Sequence, residues 1–411
     1  MDFNDSPKEA EFRSDVRRWL AANAPLSRTR TSHGHEDSKF IVEEKAWQAK
    51  KADAGYACLT WPREWGGAGR TPAESIIFHE EESKLDVATA IFRLGLDMCV
   101  PTIMIAGNEA DKIRFAKPAM RGEEIWCQLF SEPSAGSDLA ASRTRAVQTD
   151  EGSEDWIING QKVWTSGAHI ADFGLLIART DPEVPKHKGL TMFWVDMKAP
   201  GIEVRPIRQA DGGSGFNEVY FSDVRLKDSQ RIGEVGKGWN VALITLMHER
   251  LSVGTGSGPS WQALMELIGS LPGVEGKGSA LKDGGFREKF TDWYVAAQGL
   301  QLTRRRTQTA LSRGETPGPE ASIGKIIAAR QMQELATEAL DRLDQYGIVA
   351  NMDAASLIGG FQRNFFWGSA MRIAGGTDEI LKNILAERVL GLPLDIRVDR
   401  DVEFRNIPGS I

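Results

Sequence analysis

The chain has 411 residues, and at about 150 residues per domain that length implies two or three domains. Apolar residues make up 41% and charged residues 26%, with a net charge of −7, which sets aside collagen-like, integral-membrane and dedicated nucleic-acid-binding classes. The 3 cysteines, Cys58, Cys99 and Cys127, are too scattered for a disulfide framework or a zinc motif.

The N-terminal stretch MDFNDSPKEAEFRSDVRRWL is charged throughout and lacks a signal-type apolar core. No apolar run reaches the roughly 18 residues of a membrane span. A reducing, cytoplasmic setting is therefore expected. Ser6, Pro7 and Glu9 give a capping-box start, and Phe12, Val16, Trp19 and Leu20 follow at helical spacing. Further helices are predicted over Val42–Ala54, Pro72–Leu85, Val87–Ala106 and Glu109–Arg121. The glycine- and proline-rich WPREWGGAGRTP (61–72) reads as a loop.

Near Trp126 the pattern changes to short apolar runs separated by turns. Asn159-Gly160, flanked by Trp156–Ile158 and Gln161–Trp164, predicts a tight hairpin. Phe173–Ala178, Leu190–Val195 and Val219–Val224 predict strands. No helix interrupts them, which favours antiparallel pairing. Helical periodicity returns near Gly238, with Val241, Ile244, His248 and Leu251 on one face. A glycine-rich stretch at 254–259 and a loop at 268–285 break it. Long helices are then predicted at about 286–312, 319–345, 353–371 and 378–390. The order helices, sheet, helices makes an α+β chain. Its predicted parts are an N-terminal helical domain (1–123), a middle antiparallel β-domain (124–234), a C-terminal helical bundle (235–393) and a tail (394–411).

No glycine-rich dinucleotide fingerprint, phosphate-binding Walker loop or nucleophile elbow occurs, and the 6 histidines form no ligand pair. Three polar-glycine segments remain. In Ser131–Asp138 small residues let the backbone approach a ligand, and an ordinary connecting loop fits the composition as well. In Trp164-Thr165-Ser166-Gly167 an indole beside hydroxyls suits a flat heteroaromatic ligand, and a buried strand-end Trp is the plainer alternative. In Gly375-Gly376-Thr377-Asp378-Glu379, Thr377 is a candidate N-cap with backbone donors beside it. Glu249 stands in an apolar helix beside Arg250, near Gly254, Gly256 and Gly258. It is either a useful carboxylate or a structural ion pair.

These segments occur in a recognisable order. CQLFSEPSAGSDLA (127–140), INGQKVWTSGAHIADFGLLIART (158–180), FNEVYFSDVRL (216–226), PGPEASIGKIIAARQMQELATEAL (317–340) and GGTDEILKNILAERVLGLP (375–393) together resemble the acyl-CoA dehydrogenase family. The likeness runs from the first helix to Pro393. It implies a helical domain, a β-domain and a C-terminal four-helix bundle, with FAD between the last two.

By motif position the resemblance implies that Phe130, Ser131, Gly136 and Ser137 meet the flavin, with Ser137 also on the CoA portion of the substrate. Trp164 would stack near the flavin and Ser166 would bond its N5. Thr377 and Glu379 would hold other parts of FAD. Gln345 and Gly347, with Tyr346 between them, would touch the adenine half of FAD bound mainly by a neighbouring subunit. Two departures stand out. Many members carry the catalytic Glu just before the Gly-Thr of the last motif, where this chain has Gly375. Others, including the long-chain and isovaleryl types, carry it before an Arg on a bundle helix, the place of Glu249 and Arg250. The Arg-x-x-Phe-Gly segment that helps bind the FAD pyrophosphate is replaced by SLPGVEGKGSALKDGG, with Arg287 as the candidate substitute.

The implied reaction is α,β-dehydrogenation of an acyl-CoA thioester to the trans-2-enoyl-CoA, with Glu249 as base and the Gly375 N–H polarising the thioester carbonyl. Arg250 is assigned to a structural carboxylate or to the thioester region, with Gly376 beside the substrate. The implied partners are an acyl-CoA, an electron-transfer flavoprotein and further copies of the chain in a homodimer or homotetramer. Two alternatives share the fold: a flavin oxidase or monooxygenase, and a non-catalytic subunit of a heteromeric dehydrogenase. Straight, branched, aromatic and steroid acyl groups all remain open.

Overall fold

The structure is a computed structural model that describes residues 5–25, 38–85, 87, 90–149, 155–252, 260–271, 280–312, 318–349 and 357–407. The chain divides into two compact units. One comprises Glu9–Pro25, His35–Glu249 and Asp395–Ile411, and the other comprises Met1–Lys8, Leu26–Gly34 and Arg250–Leu394.

The first unit opens with α1 (Pro7–Asn23), α2 (Ser38–Asp53) and α3 (Pro72–Glu82). The four-residue spacing of Phe12, Val16 and Leu20 puts all three on one buried face, packed with Trp47, Ile77 and Phe78. Thr71 starts α3: its hydroxyl accepts from Glu74 N at 3.2 Å, and Glu74 Oε2 accepts from Thr71 N at 2.9 Å. The expected helix over Val87–Ala106 is broken in the structure. A π-helical turn at Gly95–Cys99 precedes α4 (Val100–Ala106) and α5 (Glu109–Met120). Pro101 has no N–H to give the preceding turn, so a regular helix restarts around it.

Two acidic residues close α3. Glu81 takes hydrogen bonds from Arg17, Lys84 and Arg13, and these bonds lower its carboxyl to about 2. Burial pushes Glu82 up, but the charge of Lys51 and hydrogen bonds from His79 and Lys51 outweigh it, and it too falls to about 2. Both folded values lie below the ordinary 4.5. Their stabilisation is therefore complete above that value and lost as pH falls toward 2. Acid titration followed by circular dichroism should show α1–α3 loosening in that window, and Glu82→Gln should flatten the response. An unchanged acid transition in that variant would contradict the assignment.

The middle of the chain forms one sheet in the order β6-β7-β3-β2-β4-β5-β8, with β1 also paired to β4. The strands are β1 (Trp126–Leu129), β2 (Arg145–Gln148), β3 (Asp155–Ser166), β4 (Phe173–Arg179), β5 (Leu190–Asp196), β6 (Ile202–Ile207), β7 (Phe216–Lys227) and β8 (Arg231–Ile232). Most pairs are antiparallel, while β1 and β2 meet β4 in parallel. The predicted hairpin at Asn159-Gly160 does not form, because both residues lie inside the continuous strand β3. A register shift between Ile158 and Gly160 accommodates them. Gly160 has φ of 153°, and a Cβ there would lie 2.5 Å from Thr144 Oγ1. The glycine thus permits a close crossing instead of a turn.

The C-terminal helices are α6 (Gly238–Ser252), α7 (Trp261–Ser270), α8 (Gly284–Ser312), α9 (Ser322–Leu343), α10 (Leu357–Met371) and α11 (Asp378–Arg388). Leu264, Leu267, Phe286, Trp293, Leu335 and Phe361 build the core of α7–α10. Gly368 lets α10 close on α9, since a Cβ there would sit 3.0 Å from the Gln333 backbone. Among the described residues, no helix is long and apolar enough to cross a membrane.

Candidate active site

The predicted site residues fall in both compact units. Phe130, Ser131, Gly136, Ser137, Trp164, Ser166 and Glu249 belong to the sheet-bearing unit. Arg287, Gln345, Gly347 and Gly375–Glu379 belong to the helical one.

The Ser131–Asp138 segment leaves β1 through a tight turn in which the main chains of Glu132 and Ala135 exchange two hydrogen bonds of 3.0 Å. The Phe130 side chain turns into the core, 5% exposed, packed among buried residues including Trp126 and Leu139. Glu132 is also directed inward. Its carboxylate takes Lys162 Nζ at 2.8 Å, Arg143 N at 2.6 Å and Thr144 N at 2.9 Å. The side chains of these two residues of the expected flavin loop therefore serve the fold. Gly136 and Ser137 are exposed, and nothing lies within 4 Å of where a Gly136 Cβ would be.

At the end of β3, Trp164 has φ of 59° and is 58% exposed. A left-handed bulky residue is strained, and an indole this open to water is unusual. A register shift between Lys162 and Thr165 permits the conformation. Phe216 meets the indole edge-on, with ring centres 6.0 Å apart. Ser166 is half-buried beside it. Behind them, Asn217 Nδ2 donates to Thr165 O at 3.0 Å and lies 3.2 Å from His169 Nδ1. Thr165 Oγ1, Asn217 Oδ1 and His169 Nε2 are buried with no hydrogen-bond partner. A strained exposed aromatic, an open glycine and an incompletely used polar network fit a flat heterocycle with polar ring atoms.

Glu249 is half-buried on α6. It lies on the face that carries Ala242 and Thr245, where Thr245 Oγ1 meets Thr102 Oγ1 at 2.9 Å. Burial pushes the neighbouring His248 imidazole below its ordinary value, against the pull of Asp97. The Arg250 side chain and the glycines Gly254, Gly256 and Gly258 lie outside the described residues.

In the helical unit, Gly375 (φ 67°) and Gly376 (φ 88°) make a left-handed turn into α11. Lys325 Nζ donates to Gly376 O at 2.7 Å and fixes it. Thr377 caps α11, its hydroxyl accepting from Ile380 N at 3.2 Å. Asp378 is buried and takes Arg372 Nε at 2.7 Å, whereas Glu379 is exposed. A cavity of about 300 Å³ is lined by Gln333, Arg372, Asp378 and Glu379, among others. Gly347 is buried in the turn after α9, where a Cβ would meet Leu340 O at 2.6 Å. Gln345 and Arg287 are exposed. A Glu introduced at position 375 would have to adopt the left-handed φ, at about 1–2 kcal/mol. Gly375→Glu should thus lower the unfolding temperature, and an unchanged melt would refute this.

Sequence reasoning missed the supporting residues Lys162, Asn217 and Lys325. Lys162 had a signal of its own, since it falls in alternating register with the inward Trp156 and Ile158 of the same strand.

Family models for the acyl-CoA dehydrogenase N-terminal, middle and C-terminal domains match residues 6–123, 127–224 and 236–390. The chain is 39% identical over 355 residues to acyl-CoA dehydrogenase FadE34 of Mycobacterium tuberculosis, covering 86% of this chain and 47% of that protein. It thus spans about half the length of that relative. It is 34% identical to acyl-CoA dehydrogenase IpdE1 of Mycolicibacterium smegmatis, over 94% of this chain and 98% of that one. Its fold is similar to that of the Tcur3481-Tcur3483 steroid ACAD, with a TM-score of 0.80 and 25% identity over 96% of this chain and 100% of that one.

Proposed function

We propose that this chain, which belongs to the acyl-CoA dehydrogenase family, oxidises the Cα–Cβ bond of an acyl-CoA thioester to the trans-2-enoyl-CoA. Glu249 takes the α-proton as general base. FAD, when bound, supplies the acceptor for the β-hydride. Trp164 offers its indole to the flavin ring, and Ser166 offers its hydroxyl to N5. Gly136 and Ser137 give the approach to FAD and to the CoA portion of the substrate. Thr377 and Glu379 at the head of α11, with Arg287, hold other parts of FAD, while Gln345 and Gly347 meet the adenine half of an FAD bound mainly by a neighbouring subunit. Gly375 keeps a backbone N–H for the thioester oxygen although it has no side chain. Gly376 and Arg250 border the same thioester.

The observation that carries this reading is Trp164, strained at φ 59° and open to water at the end of β3. Such strain persists where the surrounding structure enforces it, which is typical of ligand sites. A steroid-bearing acyl group is the first substrate class to test, because the similar fold above is that of a steroid ACAD. An electron-transfer flavoprotein is the proposed electron acceptor. Assembly into a homodimer or homotetramer is supported by exposed Phe365, Phe366 and Trp367 on α10.

The test is anaerobic mixing of the FAD-loaded protein with straight-chain, branched, aromatic and steroid acyl-CoA thioesters. Loss of the yellow flavin absorbance with at least one of them, and return of colour on adding an electron-transfer flavoprotein, is expected. Rapid reoxidation by oxygen instead would favour the oxidase alternative. A protein that stays colourless after FAD addition would favour the non-catalytic subunit.

A further inference from the structure

The segment that follows α11 runs past residue 390, where the C-terminal family match ends, and residues 395–407 belong to the sheet-bearing unit. Its anchoring is specific. Phe404 N donates to Val184 O at 3.0 Å, and Arg405 N donates to Pro182 O at 2.9 Å. Glu403 forms a β-bridge with Pro185. Phe404 is buried, and the Arg179 guanidinium lies 3.7 Å from its ring centre.

Arg179 is itself buried. It donates to Ala140 O at 2.5 Å, Ser142 O at 3.2 Å and Lys186 O at 2.7 Å. It therefore ties the chain just after the Ser131–Asp138 loop to the strand connection that carries Lys186. Lys186 Nζ, on a nearly buried side chain, then reaches Asp138 Oδ2 and Asp399 Oδ2, each at 2.6 Å. One ammonium thus joins the last residue of the loop to the tail. An ion pair with half-exposed partners adds little to global stability. Its effect is local, because it couples the exposed end of the loop directly to the tail.

We propose that Lys186 is a positioning residue: together with Asp399 and Phe404 of the tail, it holds Asp138, and through it Gly136 and Ser137, in the conformation that receives FAD and the CoA portion of the substrate. This inference rests on the reading that the 131–138 loop meets those ligands. The tail acts as a strap across the sheet, pressed on Arg179 at one point and bonded to Lys186 at another. When the strap is loosened, the loop spends less time in the binding conformation, and apparent affinity falls in proportion to the competent fraction.

The experiment uses the full chain with FAD and with coenzyme A as the probe. Lys186→Met and Asp399→Asn should each raise the dissociation constants for FAD and coenzyme A about tenfold, the change for a competent fraction cut to about a tenth. Turnover at saturating substrate should remain near that of the parent. Lys186→Arg, which keeps a cation between the two carboxylates, should restore both affinities. Trypsin should release the tail of Asp399→Asn faster, cutting after Arg397, Arg400 or Arg405. Parent-like affinities in both variants, a Lys186→Arg as weak as Lys186→Met, or unchanged tail cleavage would overturn the proposal. Gly136→Val separates it from the underlying reading. If a side chain at that open position leaves FAD and coenzyme A affinity unchanged, the loop is not the ligand-binding segment, while the cleavage rates still judge the strap.

Discussion

Glu249→Gln is expected to bind FAD normally and to lose turnover by at least ~100-fold, the low end for removal of a general base. The substitution keeps the size of the side chain and an oxygen that accepts hydrogen bonds, so α6 should fold unchanged. What it removes is the capacity to hold a proton taken from carbon. The position supports that use. Glu249 is half-buried on α6, on the face that also carries the buried Ala242 and Thr245. Gly375, at the other place where relatives of this type carry the base, has no titratable group. Single-turnover reduction of the flavin by an acyl-CoA reads the step directly. A Glu249→Gln protein that reduces at the parent rate would remove this residue from the mechanism.

Lys162→Met should destabilise the protein by about 3–5 kcal/mol, the range for stranding one member of a buried ion pair. Lys162 is fully buried, and its Nζ donates to Phe130 O at 2.9 Å and to Glu132 at 2.8 Å. Burial pushes the ammonium below its ordinary range, and Glu132 pulls it only part of the way back. Burial pushes Glu132 up, and the charge and hydrogen bond of Lys162, with hydrogen bonds from Arg143 and Thr144, more than reverse this, holding its carboxyl below the ordinary range. The two groups thus offset part of each other's burial cost. Without the lysine, a buried carboxylate keeps only the N–H groups of Arg143 and Thr144. The double variant Lys162→Met/Glu132→Gln should recover part of the loss, because the stranded charge is gone; recovery stays incomplete, since Arg143 N and Thr144 N bond to separate Glu132 oxygens and an amide offers only one acceptor oxygen. Urea unfolding of the single and double variants measures this. A double variant no more stable than Lys162→Met would show that the charge was not the source of the cost.

The helix–sheet–helix order and the positions of the long helices were legible because their apolar spacing is the force that forms them. Phe12, Val16 and Leu20 point inward for the reason that their period announces. The Asn159-Gly160 expectation failed because the sequence shows that glycine is needed but not why. Here the need is a close approach to Thr144, which depends on which strand lies alongside. The same limit applies at Trp164, where the residue type suggested a ligand-facing aromatic but the left-handed backbone follows from a register shift between β3 and β7. The roles given to Glu249 and Gly375 came from family resemblance, since a single carboxylate in a helix has no periodicity to mark it. The tail carried no legible pattern, because its contacts lie with residues 138 and 179–186, far away in the chain.

The exposed indole of Trp164 has a consequence for how cofactor loading can be watched. Among the 12 tryptophans, Trp126 and Trp156 are sealed in the interior, while this one stands 58% open. In the flavin-free protein it should emit at the red edge of the tryptophan band and be dimmed readily by acrylamide. Once a yellow chromophore lies against it, that share of the fluorescence should vanish by energy transfer, giving an optical record of loading that needs no substrate.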